Sequence, residues 1–205
     1  MTPQSTFMIV AAIREGQMES LSSLLASMNK TVGHADPENG LVPFGHFDRL
    51  HVARFVILEL NTANEIQAYG LTPHEWRPSL AFLGDCDGDR DSFLRELAAL
   101  AGPGLGKIFS FCEGFSGEST PLLQWMKEHS INPSANYINW IGRTVKQVRE
   151  ERALHQSLST CLQEILETIG RENTRAIRQK LLSHVEKEKQ AGRLMLTPPG
   201  LATTI

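Results

Sequence analysis

Phe7-Met8-Ile9-Val10-Ala11-Ala12-Ile13 and Leu50-His51-Val52-Ala53-Arg54-Phe55-Val56-Ile57-Leu58 decide the fold. Both are short apolar runs, as buried strands are. Neither alternates apolar with polar. In the first, Phe7, Ile9, Ala11 and Ile13 share one face, while Met8, Val10 and Ala12 share the other. In the second, Leu50, Val52, Val56 and Leu58 are set against Ala53, Phe55 and Ile57, with His51 and Arg54 as the exceptions. A sheet with helices on one side and water on the other alternates apolar and polar along each strand. Left wet, the second face here, read as Met8, Val10, Phe55, Ile57 and their neighbours, would be an unusually large apolar patch. Two covers are open: a second copy stacked sheet on sheet, or residues 119–190 folded back over it. The pattern points to a protein built for association, most simply a homo-oligomer.

Working outward, Met18, Leu21, Leu24, Leu25 and Met28 recur at helical spacing and predict a helix over 15–30. Residues 31–48 read as loop, and 60–78 as irregular, with Pro73 and Pro78 as breakers. Leu80-Ala81-Phe82-Leu83 is a third strand. Asp89 or Asp91 caps the helix after it, with Phe93, Leu97 and Leu100 inward, and Gly102-Pro103-Gly104 stops it. Ile108 to Cys112 reads as a fourth strand.

Beyond residue 118, Thr120 and Pro121 open a short helix to about His129. Tyr137 to Ile141 reads as a short fifth strand. Thr144 and Gln147 form a capping box that starts a long apolar-striped helix ending at Gly170. Asn173 caps a last helix to about Gln190. The expected division is an α+β domain over 1–118, a helical extension over 119–193 and an unpacked tail over 194–205.

The βαββαβ succession resembles the ferredoxin-like fold and, at superfamily level, the dimeric α+β barrel proteins. That resemblance implies an antiparallel sheet of order 4-1-3-2 with helices 15–30 and 91–101 on one face, consistent with right-handed crossovers. The superfamily includes haem peroxidases, monooxygenases and non-catalytic modules. Gly114-Phe115-Ser116-Gly117 resembles the GFxDG motif of dye-decolourising peroxidases but lacks its aspartate. Two functions are therefore expected. The first is a non-catalytic association or ligand-sensing module that buries its open sheet face by dimerising. The alternative is a haem- or metal-dependent oxidoreductase of the dimeric α+β barrel kind.

In such a fold the strand ends gather Arg14, Glu15, His46, Asp48, Arg49, Asp85, Asp87 and Lys107 around one rim. His46 with Asp48 and Asp85 is a candidate for metal binding or acid–base work, with Arg14 beside it. His51, inside an apolar strand, is a candidate ligand or proton shuttle if it faces a barrel interior, and otherwise a satisfied core histidine. Asp85, Asp87, Asp89, Asp91 and Glu96 fall at calcium-loop spacing, which makes Asp85, Asp87 and Asp89 candidate metal ligands. Arg90 stands where that loop needs glycine, and a strand rather than a helix precedes it. A strand-to-helix turn with acids at the helix start explains the same residues. No cofactor is specified by a motif of its own.

The bulk numbers agree with a globular chain. Of 205 residues, 41% are hydrophobic and 21% charged, enough for a core without staples. Residues 1–118 hold 8 Lys/Arg against 15 Asp/Glu, a net of −7; the remainder holds 12 against 8, a net of +4. Neither half is extreme enough to call for nucleic acid. Arg171, Arg175, Arg178, Lys187 and Lys189 make a basic stripe on the last helix without interleaved aromatics. It reads first as a solvated face or a dock for the acidic N-terminal domain; a protein partner on the C-terminal helices, or a phosphate or anionic membrane surface, is the other reading. Cys86, Cys112 and Cys161 have no metal or redox spacing and predict buried, reduced thiols, with the pKa of Cys86 raised by its acidic turn. The run 7–13 is too short for a membrane span and has no basic leader, so the expected location is cytoplasmic.

Overall fold

A computed structural model describes residues 4–59, 63–70, 77–138, 142–169 and 173–198. The chain divides into two compact units, one over Pro3–Asn139 and one over Trp140–Ile205. The first unit is a mixed α+β body around an antiparallel sheet of order β1-β5-β4, with β1 Gln4–Ala12, β4 Leu50–Leu58 and β5 Ser79–Asp87. These are the three expected strands in their expected neighbour order. β5 runs well past Leu83 because, as the central strand, it pairs with β1 as far as Asp87 and with β4 as far as Cys86.

One sheet face is the core. Its cross-strand rows are Ser5–Cys86–Leu50, Phe7–Gly84–Ala53, Ile9–Phe82–Phe55 and Ala11–Leu80–Ile57. Helix α1, Met18–Ala26, contributes Leu21, and helix α3, Arg90–Phe109, contributes Phe93, Leu94, Leu97, Leu105 and Ile108 to the same buried cluster. Phe55 stacks on Phe82 at 4.2 Å, and Phe7 meets Phe82 edge-on at 5.1 Å. Gly84 makes room for the Phe7 ring, since a Cβ there would lie 2.6 Å from its tip. Between α1 and β4 lie a small hairpin, β2 Asn29–Thr31 and β3 His34–Ala35, and a tight loop tied by Asn39. The Asn39 side chain donates to the Asp36 and Val42 carbonyls and accepts from the Leu41 and Val42 amides. A short helix α2, Ala63–Ala68, lies in the stretch read as irregular.

The second half of the unit differs from expectation. Gly102-Pro103-Gly104 does not end α3, which continues to Phe109, with Asp89 accepting the Ser92 amide as its cap. Pro103 forfeits one helical hydrogen bond, a cost of about 3 kcal/mol relative to Ala. Leu97, Leu105 and Ile108, all fully buried, lie on one stripe across it. Each is worth about 1.5–3 kcal/mol buried, so the stripe wins. Gly104 is a packing residue: a Cβ there would sit 1.8 Å from the Leu41 carbonyl oxygen. Leu100, expected inward, is 56% exposed, and Leu94 and Ala101 take the inner face.

With Ile108 and Phe109 helical, the fourth strand does not form at 108–112. Two separate pieces occupy the outer edge of β1 instead. Arg14 donates its amide to the Phe111 carbonyl at 2.9 Å, and the Glu113 amide bonds Ala12 at 2.8 Å. Val10 donates to His129 at 3.0 Å, and Ile131 donates to Met8 at 2.9 Å. Helix α4, Leu122–Glu128, lies between those pieces and buries Trp125 against Phe109 and Phe115. The boundary of the unit therefore falls after α4, at 139/140, and not at 118/119. Thr120 bonds Ser116 and leaves α4 without a side-chain cap. Tyr137 and Ile138 are in no strand, and 139–141 lie outside the described residues.

The second unit is a helix pair, α5 Val145–Ile169 and α6 Thr174–Gln190. The capping box is formed reciprocally: Gln147 accepts the Thr144 amide at 3.0 Å, and Thr144 accepts the Gln147 amide at 3.2 Å. Asn173 caps α6 through the Ala176 amide. Ser157 and His184 join the helices at 2.8 Å. The tail, expected to be unpacked from 194, is held as far as it is described. Leu194 is buried, Thr197 bonds Glu150, and Gln147 donates to the Pro198 carbonyl. Gly170, Arg171 and 199–205 lie outside the described residues.

Candidate functional site

The second face of the sheet is graded from polar to apolar. Its rows, read across β1, β5 and β4, run Thr6–Asp85–Val52, Met8–Leu83–Arg54, Val10–Ala81–Val56 and Ala12–Ser79–Leu58. Gln4 and Asp87 pair one step further out, and His51 completes that row. His51 gets there through an irregularity: the β4–β5 register shifts between Leu50 and Val52, so His51 is an extra residue. A bulge of this kind re-aims a side chain. It also puts Leu50 on the core face opposite Cys86, whereas Val52, Arg54, Val56 and Leu58 stay on the second face.

At the polar end, His51 Nε2 lies 2.9 Å from Asp87 Oδ1 and 3.0 Å from Gln4 Nε2. Asp87 is only 5% exposed, and a polar side chain so buried needs hydrogen-bond partners of this kind. His51 thereby links Gln4 and Asp87 into one polar row. Beside this pair, Asp85 accepts from the Thr6 hydroxyl at 2.7 Å, and Thr6 in turn accepts from the Asn136 amide at 3.0 Å.

The expected rim does not converge. His46 pairs with Glu38 at 2.8 Å, both side chains being mostly exposed, while Asp85 is held by Thr6 and Asp48 is exposed. Arg14 donates to the Cys112 and Phe115 carbonyls, which pins the 111–115 turn to the end of β1. Next to it is a groove of about 570 Å³ lined by Ile13, Arg14, Glu15, Met18, Arg77 and Glu113. There Arg77 and Glu113 pair at 3.4 Å.

The three aspartates of the acidic turn diverge: Asp85 to Thr6, Asp87 to His51 and Asp89 to the start of α3. Gly88, at φ +80°, makes the bend between Asp87 and Asp89. Among the described residues no group of three or more His, Cys, Asp or Glu is placed to hold a metal. Arg49 locks the same turn, donating to the Asp87 and Asp89 carbonyls and to Ser92, with Phe93 beneath its guanidinium.

The cysteines are buried thiols. Burial pushes Cys86 up to about 12, with Asp85, Asp87 and Asp89 adding to the rise and Arg49 opposing it. Burial likewise pushes Cys112 up to about 12, against Arg14.

Sequence reasoning placed Met8, Val10 and Ala12 on this face, but it grouped Phe55 and Ile57 with them; those two lie on the core face opposite Phe82 and Leu80, and Val52, Val56 and Leu58 stand here instead. It missed the pairing of His51 with Asp87 and the hydroxyl contact to Asp85, because a one-residue bulge leaves no mark in composition or periodicity. Among the described residues, no helix is long and apolar enough to cross a membrane. No family model, curated protein or solved structure matches the chain.

Proposed function

We propose that this protein is a homo-association module whose ferredoxin-like sheet packs, second face inward, against the same face of another copy, in the manner of the dimeric α+β barrel proteins. One observation carries the reading. Met8, Val10, Ala12, Leu83, Val56 and Leu58 form contiguous rows on the face opposite the core. Val52 at 38% and Leu58 at 36% exposure still present apolar surface to solvent. A two-fold axis uses one patch twice, so a single apolar face suffices for both sides of the interface. The graded polarity adds register: the apolar rows supply area, and the row of Gln4, Asp87 and His51 marks one end.

The test is sedimentation velocity on the full chain at tens of micromolar. Wild type is expected near twice the 22.8 kDa chain mass. Val56→Glu, which puts a charge among the apolar rows, is expected at one chain mass with an unchanged far-UV circular dichroism spectrum. A monomeric wild type overturns the reading and means that the face is covered within one chain.

A further inference from the structure

We infer that Arg54 of each copy forms an ion pair with Asp85 of the other, so that the dimer face carries its own charge code. This rests on the second-face association proposed above and assigns the contact that sets its register.

Among the described residues, Arg54 and Asp85 are the two charged groups on this face that have no counter-charge. Asp87 has His51. Arg54, opposite Leu83 and exposed, has no hydrogen bond or ion pair among the described residues. Asp85, opposite Val52 and half-buried, has a single neutral donor, the Thr6 hydroxyl on Oδ1, and no cation. They stand on the same face one row apart, Arg54 toward the apolar end and Asp85 toward the polar end.

An unpaired charge carried into an apolar interface is strongly unfavourable. Stacking the face on its copy therefore either buries two guanidinium groups alone or brings each to a carboxylate. Stacked sheets lie about 10 Å apart, within reach of an extended arginine meeting an aspartate. A two-fold axis placing Arg54 over the partner's Asp85 necessarily places Asp85 under the partner's Arg54, so both charges on both copies are satisfied by one register. Arginine suits this role, because its weakly hydrated planar fork meets a carboxylate with two parallel hydrogen bonds.

The experiment uses two full-length variants, Arg54→Asp and Asp85→Arg, each followed by sedimentation velocity. Alone, each brings like charges together across the interface, and its dimer should weaken by about tenfold or more. Mixed in equal amounts, the two are expected to form a heterodimer, since every contact in it again joins Arg to Asp. That rescue in trans excludes pairing within one chain. Arg54→Gln, at an exposed position the fold tolerates, should weaken the wild-type dimer and flatten its salt dependence.

Single variants that associate like wild type, a mixture no more associated than its components, or an Arg54→Gln dimer with unchanged affinity and salt dependence each overturn the ion pair. Should wild type dimerise and Val56→Glu dissociate in the same series, the face stands and only the pair falls. A wild type that is monomeric brings down both.

Discussion

Single residues in this chain act mainly by what they leave room for or keep dry. Cys86 and Cys112 are both 0% exposed, and burial raises both thiols to about 12 from a usual 9.0. The consequence for stability has a definite sign. Between those two values the unfolded chain has lost thiol protons that the folded chain keeps, so the folded state binds more protons and stability falls as pH rises. The contribution is complete below about pH 9 and is lost on the way to about pH 12. Urea midpoints measured upward from neutral pH should decline more steeply above about pH 9 in wild type than in a Cys86→Ala/Cys112→Ala variant. Equal slopes would mean that the thiols ionise as freely in the fold as in the unfolded chain. Disulfide reagents should likewise label the two slowly until the protein is unfolded.

At the scale of elements, α3 is the decisive case. A proline between two glycines is a strong local stop signal, yet the helix carries Gly102-Pro103-Gly104 in its interior. Local propensity acts over a residue or two, whereas the stripe from Phe93 to Ile108 is buried along its length. At Gly104 the Leu41 backbone lies against the helix, held there by the Asn39 side chain. Gly104→Ala would normally favour a helix by about 1 kcal/mol. Here the expected result is the reverse, a loss of about 2 kcal/mol or more, because backbone must move from a contact of 1.8 Å. Thermal unfolding decides it: a midpoint equal to or above wild type would show that the loop is not seated on the helix as described. The edge of β1 follows from the same event. Once 108 and 109 belong to the helix, the amides and carbonyls of β1 find partners in 111–113 and 129–131 instead.

For the whole molecule, that edge sets where the first unit ends. Trp125 fills the space between Phe109 and Phe115, and residues 129–131 close β1. A chain cut after residue 118 loses both, exposing aromatic rings and the row of unpaired backbone groups that invites aggregation. A chain cut after 139 keeps them. Residues 1–139 are expected to be soluble with one cooperative thermal transition, and residues 1–118 to aggregate or lack a transition. If 1–118 folds as well as 1–139, α4 and the 129–131 segment are not part of the unit's core.

The strands at 7–13 and 50–58, the pairing partner at 80–83, the helices facing one side and both caps of the helix pair were legible in order and periodicity. Each depends on neighbours close in the chain or on the apolar faces of one element. That both faces of these strands are apolar was legible for the same reason, since residues two apart on a strand share a face, but which set of β4 turns inward was not: packing put Phe55 and Ile57 in the core. What tertiary structure decided was everything set by contact between distant segments. Burial of Leu105 and Ile108 outweighed the breaker at Pro103 and removed the fourth strand. A bulge opposite Asp85 and Cys86 turned His51 toward Asp87. The charge left over on Arg54 and Asp85 emerged only once Asp87 was seen paired with His51 among the described residues, because ion pairing depends on proximity in space, which residue order alone does not encode.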